Sequence, residues 1–197
     1  MAMSKYSEYY YEVIEKYKLF HENGYKKDNI ITPGESTFLG YSLSKWILKI
    51  KEIIKINESD SLLDFGCGKG FLYKTKFKIN DQEYRNLLDC WKLDDVYLYD
   101  PGVKEFSVYP VRKFDGLICT DVIEHIPEKD ILQFIDNLFK LSNKFIFVVI
   151  ATIPATKVFD DGNNIHLCLK TEEEWGKIFS EFKIKYPQVN QYVYFNN

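Results

Sequence analysis

The ten residues Ser61-Leu62-Leu63-Asp64-Phe65-Gly66-Cys67-Gly68-Lys69-Gly70 constrain the fold more than any other stretch of the chain. A short apolar run ends in a carboxylate, and glycines then occupy alternate positions. This reads as a strand followed by a tight turn that opens onto a helix. Ligands of open α/β sheets bind outside the carboxyl ends of the strands, and glycine there lets a ligand approach the backbone closely. The spacing is not that of the G-x-G-x-x-G dinucleotide fingerprint, because the third glycine follows the second by two residues.

The pattern around this turn predicts alternating helices and strands. Tyr6, Tyr10, Val13, Ile14, Tyr17 and Phe20 recur at helical spacing, as do Leu43, Trp46, Ile47, Ile50 and Ile54. Two amphipathic helices therefore precede the first strand, separated by the turn signals Asn23-Gly24 and Thr32-Pro33-Gly34. Apolar runs at Ser61–Asp64, Val96–Tyr99, Phe114–Thr120 and Lys144–Ala151 predict strands, the last two continuous enough for buried parallel ones. Pro127 marks the start of a helix whose apolar face is Ile131, Leu132, Ile135, Leu138 and Phe139. A further helix is expected over Asp81–Trp91 and another over Thr171–Phe182. One or two strands are expected between Lys183 and Phe195, where Pro187 interrupts the run. Strands alternating with helices imply a central, mostly parallel sheet flanked by helices.

Composition narrows the function classes. The chain has 197 residues, a net charge of −3 and no basic footprint, which argues against a general nucleic-acid binder. No apolar run approaches the roughly 20 residues that span a membrane, and the polar, tyrosine-rich N-terminus has no signal-peptide or lipidation pattern. Cys67, Cys90, Cys119 and Cys168 are scattered without a C-x-x-C pair. A cytoplasmic protein of one domain is expected, with residues 1–58 as N-terminal helices covering the site and 59–197 as the ligand-binding α/β core.

Two further groups of residues carry chemistry. Asp100 closes the run Val96–Tyr99 and is followed by Pro101-Gly102. A carboxylate at that strand end can accept hydrogen bonds from both hydroxyls of a ribose, or it can serve as a turn residue. It lies further from the glycine turn than the roughly 20 residues usual in dinucleotide folds, so an insertion fills the gap. Only a short segment follows before Phe114, leaving little room for a helix. The second group is Thr120-Asp121-Val122-Ile123-Glu124-His125-Ile126-Pro127, which places three titratable side chains at the end of a strand. His166, after the turn Asp160–Asn164, can reach the same pocket as His125, and either histidine is a general base or a loop-holding residue.

Taken together, an apolar pair with Asp-x-Gly-x-Gly-x-Gly, an acid at the second strand and Asp-x-x-Glu-His-Ile-Pro resemble class I S-adenosylmethionine (SAM) methyltransferases. Thr37-Phe38-x-Gly40, Tyr99-Asp100-Pro101, Asp161-Gly162-x-Asn164-x-His166 and Glu174-Trp175 extend the resemblance to uncharacterised methyltransferase-like proteins of bacteria and phages, over roughly residues 30 to 180. The resemblance implies a Rossmann-like class I methyltransferase fold with an N-terminal helical extension and SAM as cofactor. Cofactor contacts are then expected from Phe38, Gly40, Asp64, Phe65, Gly66, Cys67, Gly68, Gly70, Asp100, Pro101, Thr120 and Asp121. Asp121, Glu124, His125 and His166 are the candidates for orienting or deprotonating a small-molecule acceptor, methylated at oxygen. Tyr and Trp side chains of the N-terminal helices are expected to roof the pocket. The Asn/Asp-Pro-Pro-Tyr/Phe signature of base methylation is missing. One alternative is a non-catalytic SAM-binding module. Another joins Asp121, Glu124, His125 and His166 into a divalent-metal site, a pattern similar to metal-dependent RNA-end and quinone O-methyltransferases.

Overall fold

The computed structural model describes residues 6–27 and 30–196; the first five residues of the polar N-terminus lie outside it. Its centre is a sheet of five parallel strands, β3 (Ser61–Phe65), β6 (Asp95–Tyr99), β7 (Phe114–Thr120), β8 (Ser142–Ala151) and β9 (Asn190–Asn196), in the order β6-β3-β7-β8-β9. The four predicted strands are present, Phe114–Thr120 with the expected bounds and the other three extended by one or two residues, and the tail supplies one strand after Pro187. Two short antiparallel hairpins stand apart from the sheet: β1 (Tyr25–Lys27) with β2 (Ile30–Thr32), and β4 (Phe77–Ile79) with β5 (Gln82–Tyr84).

Alternation along the strands divides the core into two layers. Leu63, Leu117, Cys119, Ile146 and Val148 face helices α5 (Ile131–Lys140) and α6 (Glu172–Lys185). Leu62, Ile118, Phe145, Phe147 and Val149 face α2 (Ile47–Ile56) and α4 (Leu87–Trp91). Strands buried on both faces are continuous apolar runs, which is why the strands were legible in the sequence. Each fully buried aliphatic or aromatic side chain contributes about 1.5–3 kcal/mol from leaving water. α6 begins with a capping box in which the Thr171 hydroxyl accepts from Glu174 N–H and the Glu174 carboxylate accepts from Thr171 N–H.

Two expectations are corrected and one holds. The helix expected over Asp81–Trp91 is confined to α4; Gln82–Tyr84 instead pairs with Phe77–Ile79 across a turn in which Asn80 and Asp81 have positive φ. The turn chemistry of Asn-Asp overrides the helical spacing of Tyr84 with Leu87 and Leu88. After Asp100 there is only a 3₁₀ turn, Lys104–Phe106, as the short segment required. Of the two N-terminal helices, only α1 (Glu8–Asn23) covers the carboxyl ends of the strands. α2 packs on a face of the sheet because its buried isoleucines, Ile47, Ile50, Ile53 and Ile54, need an apolar partner surface.

α1 is fastened at both ends. Ser7 caps it by accepting from Tyr10 N–H, and Ser7 itself donates from N–H and hydroxyl to the buried Asp130 at 2.9 and 2.5 Å. Near its C-terminus the Lys69 ammonium donates to the His21 carbonyl at 2.9 Å. The helix is thereby laid across the sheet like a roof beam.

At the other end of the core, Asp136 joins α5 to the end of α6. Its carboxylate accepts from Lys140 (2.6 Å), Lys185 (2.5 Å) and the Tyr186 hydroxyl (2.7 Å). Against the cost of partial burial, these partners hold its pKa down to about 2. A folded-state pKa below the unfolded value of about 3.9 means the contribution is complete above that pH and is lost as the pH falls toward 2. Asp136→Asn is expected to lower stability at pH 7 by on the order of 1 kcal/mol and to flatten acid destabilisation between pH 4 and 2, read by denaturant melts across pH.

Candidate functional site

From β3 the chain moves to the β6 edge and then returns to β7 on the other side of β3. At such a reversal the loops leaving adjacent strands diverge and open a crevice at their carboxyl ends. Here the diverging loops are Gly66–Gly70 after β3 and Asp121–His125 after β7, and between them lies a cavity of about 600 Å³. They start very close together: a Cβ on Gly66 would stand 2.3 Å from Val122 Cγ2.

The glycine loop is closed by a third segment. Phe38–Gly40 lies against it, with Lys69 N–H donating to Phe38 O (3.0 Å) and Phe71 N–H to Leu39 O (3.1 Å). Gly68, at φ +56°, permits this contact, since a Cβ there would stand 2.3 Å from Phe38 O. Tyr99 O accepts from Gly66 N–H and Cys67 N–H, and Cys67 O accepts from Gly70 N–H. Gly68 N–H donates to Asp100 Oδ2 at 2.8 Å. Every backbone N–H from Gly66 to Phe71 therefore has an acceptor within the protein.

Asp100 hangs over this loop. Its other oxygen accepts from Gly102 N–H at 2.8 Å, and its side chain is 14% exposed. Burial pushes its pKa up, opposed by the two N–H bonds. Each carboxylate oxygen keeps a lone pair beyond its one backbone bond. His21 Nε2 lies 3.9 Å from Oδ1, too far for a hydrogen bond; burial and the nearby Lys69 and Lys157 lower its pKa to about 4, so it is neutral at pH 7.

On the opposite wall, Asp121 has a φ of +54°, a conformation that costs a non-glycine residue energy and that clusters at functional sites. Its Oδ1 accepts from Asn196 Nδ2 at 2.7 Å. Phe38 shares this left-handed backbone, at φ +50°. His125 Nδ1 lies 2.9 Å from Ile165 O and 2.5 Å from the Tyr17 hydroxyl. A carbonyl only accepts, so Nδ1 carries the proton, while Tyr17 donates to Ile165 O at 3.2 Å. Burial and the neighbouring His166 depress the pKa of His125 to about 3. The two rings lie edge to face, centroids 4.7 Å apart, and His166 Nδ1 is 2.6 Å from Ile153 O.

The expected site residues divide into those on the cavity and those behind it. Phe38, Gly40, Phe65, Gly66, Gly68, Asp100, Pro101, Thr120, Asp121, His125 and His166 line it. Asp64, Cys67 and Gly70 do not; they surround a much smaller space beneath the loop. There Asp64 accepts from the Tyr73 hydroxyl at 2.7 Å, and burial raises its pKa to about 7 despite that bond. Glu124 is likewise buried behind the wall, its pKa raised by burial to about 8. Tyr10 and Tyr17 of α1 roof the cavity as expected. Trp46 does not: it packs against Phe147 and Tyr194 on the α2 face. His21, Tyr41, Ser42 and Lys157 also line the cavity without any sequence signal. Lys157 stands 4.3 Å from the Phe38 ring centroid, a contact that long-range folding creates and no local motif announces.

A methyltransferase-domain family model matches residues 37–185, from the Phe38 segment to the end of α6. The chain belongs to the class I SAM-dependent methyltransferase superfamily. No curated protein and no solved structure matches the chain. The matched span holds all the expected site residues and leaves out the whole of the α1 roof, which precedes it.

Because Gly68 has both a positive φ and a carbonyl where its Cβ would go, Gly68→Ala is expected to detach Phe38–Gly40 from the loop. Native-state hydrogen exchange should then show loss of protection at Lys69 N–H and Phe71 N–H, with β7 and β8 amides still protected. Unchanged protection at Lys69 would contradict the contact.

Proposed function

We propose that this chain is a SAM-dependent methyltransferase that methylates a small-molecule acceptor, at oxygen, inside the cavity under α1. The observation that carries the cofactor reading is the saturation of the glycine loop. A dinucleotide pyrophosphate needs free N–H groups at the turn and the following helix. Here every N–H from Gly66 to Phe71 is already taken, and α3 (Phe71–Lys74) is only four residues long. The loop suits a ligand without phosphate that packs against backbone. Asp100, with lone pairs left over, is the acceptor for the ribose hydroxyls, and Phe38, Gly40, Gly66, Gly68 and Pro101 form the walls around the nucleoside. Asp64 acts as a positioning residue through Tyr73.

Methyl transfer needs little covalent help from the protein. When bound, SAM would supply a methyl carbon made electrophilic by its positive sulfur: the acceptor oxygen would bond that carbon as the C–S bond broke to leave a neutral thioether, and the acceptor proton would pass to a base or to solvent. Alignment of acceptor and methyl group supplies much of the rate. His125, kept neutral by burial, is a weak base; Asp121 and His166 on the same wall of the cavity are placed to orient the acceptor. The roof of Tyr10, Val13 and Tyr17 favours an acceptor small enough to sit beneath a helix fastened at both ends. No helix among the described residues is long and apolar enough to cross a membrane.

Asp100→Ala is the test at residue level. Loss of charge-assisted hydrogen bonds to the ribose costs about 1.5–3 kcal/mol, so S-adenosylhomocysteine should bind roughly tenfold or more weakly by calorimetry, to a variant that still melts cooperatively although Gly68 N–H and Gly102 N–H lose their acceptor. Equal affinity in the folded variant would remove Asp100 from the cofactor site.

A further inference from the structure

Glu124, His125 and His166 are brought together by two different loops. Glu124 and His125 sit on the 3₁₀ turn after β7, and His166 follows β8. The three offer ligand atoms within 4.8 Å of one another. Asp121 is not one of the three, and its Oδ1 accepts from Asn196 Nδ2. The glutamate shows the stronger anomaly. Its side chain is 0% exposed, one oxygen accepts from Ala151 N–H at 3.2 Å, and the other has no hydrogen-bond partner among the described residues. A buried polar atom left without a partner is costly and uncommon in folded proteins.

Both imidazoles are arranged as ligands. His125 and His166 each place Nδ1 against a backbone carbonyl, of Ile165 and Ile153 respectively. Those bonds fix the proton on Nδ1 and leave the Nε2 lone pair unused, which is the outer arrangement that orients metal-bound histidines. His125 and His166 also line the cavity, so a metal between them would have an open side.

We propose that Glu124, His125 and His166 form a binding site for one divalent ion of the zinc class, open toward the cavity. Two imidazoles and a carboxylate are a donor set that zinc accepts with a fourth position left for water or substrate. Ligand atoms around a tetrahedral zinc stand about 3.4 Å apart, given bond lengths near 2.1 Å, so binding draws the three side chains slightly inward. The ion would meet the orphaned glutamate oxygen and could hold an acceptor hydroxyl as a Lewis acid. That last role rests on the methyl-transfer reading; binding of the ion does not.

The test is calorimetric titration of chelator-stripped full chain with zinc chloride, in the absence of any adenosyl compound. One ion per chain is expected, with affinity at least tenfold weaker in His166→Ala and in Glu124→Gln, and unchanged in His21→Ala. Melting curves of the metal-free variants verify that each is folded. Should Glu124→Gln fail to fold, the half-exposed His166 carries the comparison with His21. No binding by the folded wild type, or equal binding by wild type and His166→Ala, would overturn the site. Because no adenosyl compound is present, failure here leaves the cofactor reading untouched.

Discussion

The contact between the Phe38–Gly40 segment and the glycine loop is the constraint on which the rest of the structure depends. It exists only because Gly68 has no side chain: a Cβ would stand 2.3 Å from Phe38 O. That one absence lets a segment some 30 residues upstream close over the end of β3 and fixes the floor of the cavity. Phe38 then packs against the Lys157 ammonium and the ring of the neutral His21, so that side of the cavity is assembled on it as well. The same contact uses the N–H groups of Lys69 and Phe71, leaving the loop unsuited to phosphate.

Chemistry follows from this arrangement. A floor whose N–H groups are all paired, a buried carboxylate with lone pairs to spare and a helix fastened across the top are the features on which the proposed methyl transfer rests. Opposite Asp100, the β7 loop carries a strained Asp121 and the Glu124–His125 turn, so the two walls differ in character. One wall is backbone and the Asp100 carboxylate. The other concentrates the titratable side chains Asp121, Glu124 and His125. The family match spans both walls and ends with α6, whose burial of Trp175 and Phe179 steadies the sheet beneath them.

Much of this was legible in the sequence, for identifiable reasons. Strands buried on both faces, such as Phe114–Thr120, are continuous apolar runs, and the glycines after Asp64 mark a turn by their chemistry alone. The convergence of His166 with His125 was visible as a possibility because both follow strands of a parallel sheet. Other features were not local. Asp64 and Glu124 look like site residues by motif, yet their side chains turn behind the wall, one to Tyr73 and one to Ala151 N–H. Rotamer and burial decide that, and neither is written in spacing. Lys157 reaches the cavity from a loop, Ser42 from a 3₁₀ turn and His21 from the last turn of α1, none of them announced by a motif, and Trp46 leaves it because α2 has its apolar face elsewhere. The Asn80-Asp81 turn defeated a helix expected from periodicity, local turn chemistry prevailing over spacing.

The central claim is that the cavity at the β3–β7 crevice takes an adenosyl cofactor without phosphates. Isothermal titration of the purified chain with SAM, S-adenosylhomocysteine and NAD tests it most directly. The account predicts micromolar binding of both adenosyl compounds at one site per chain and no heat from NAD. Binding of NAD in preference to the other two, or of none of the three by well-folded protein, would contradict it.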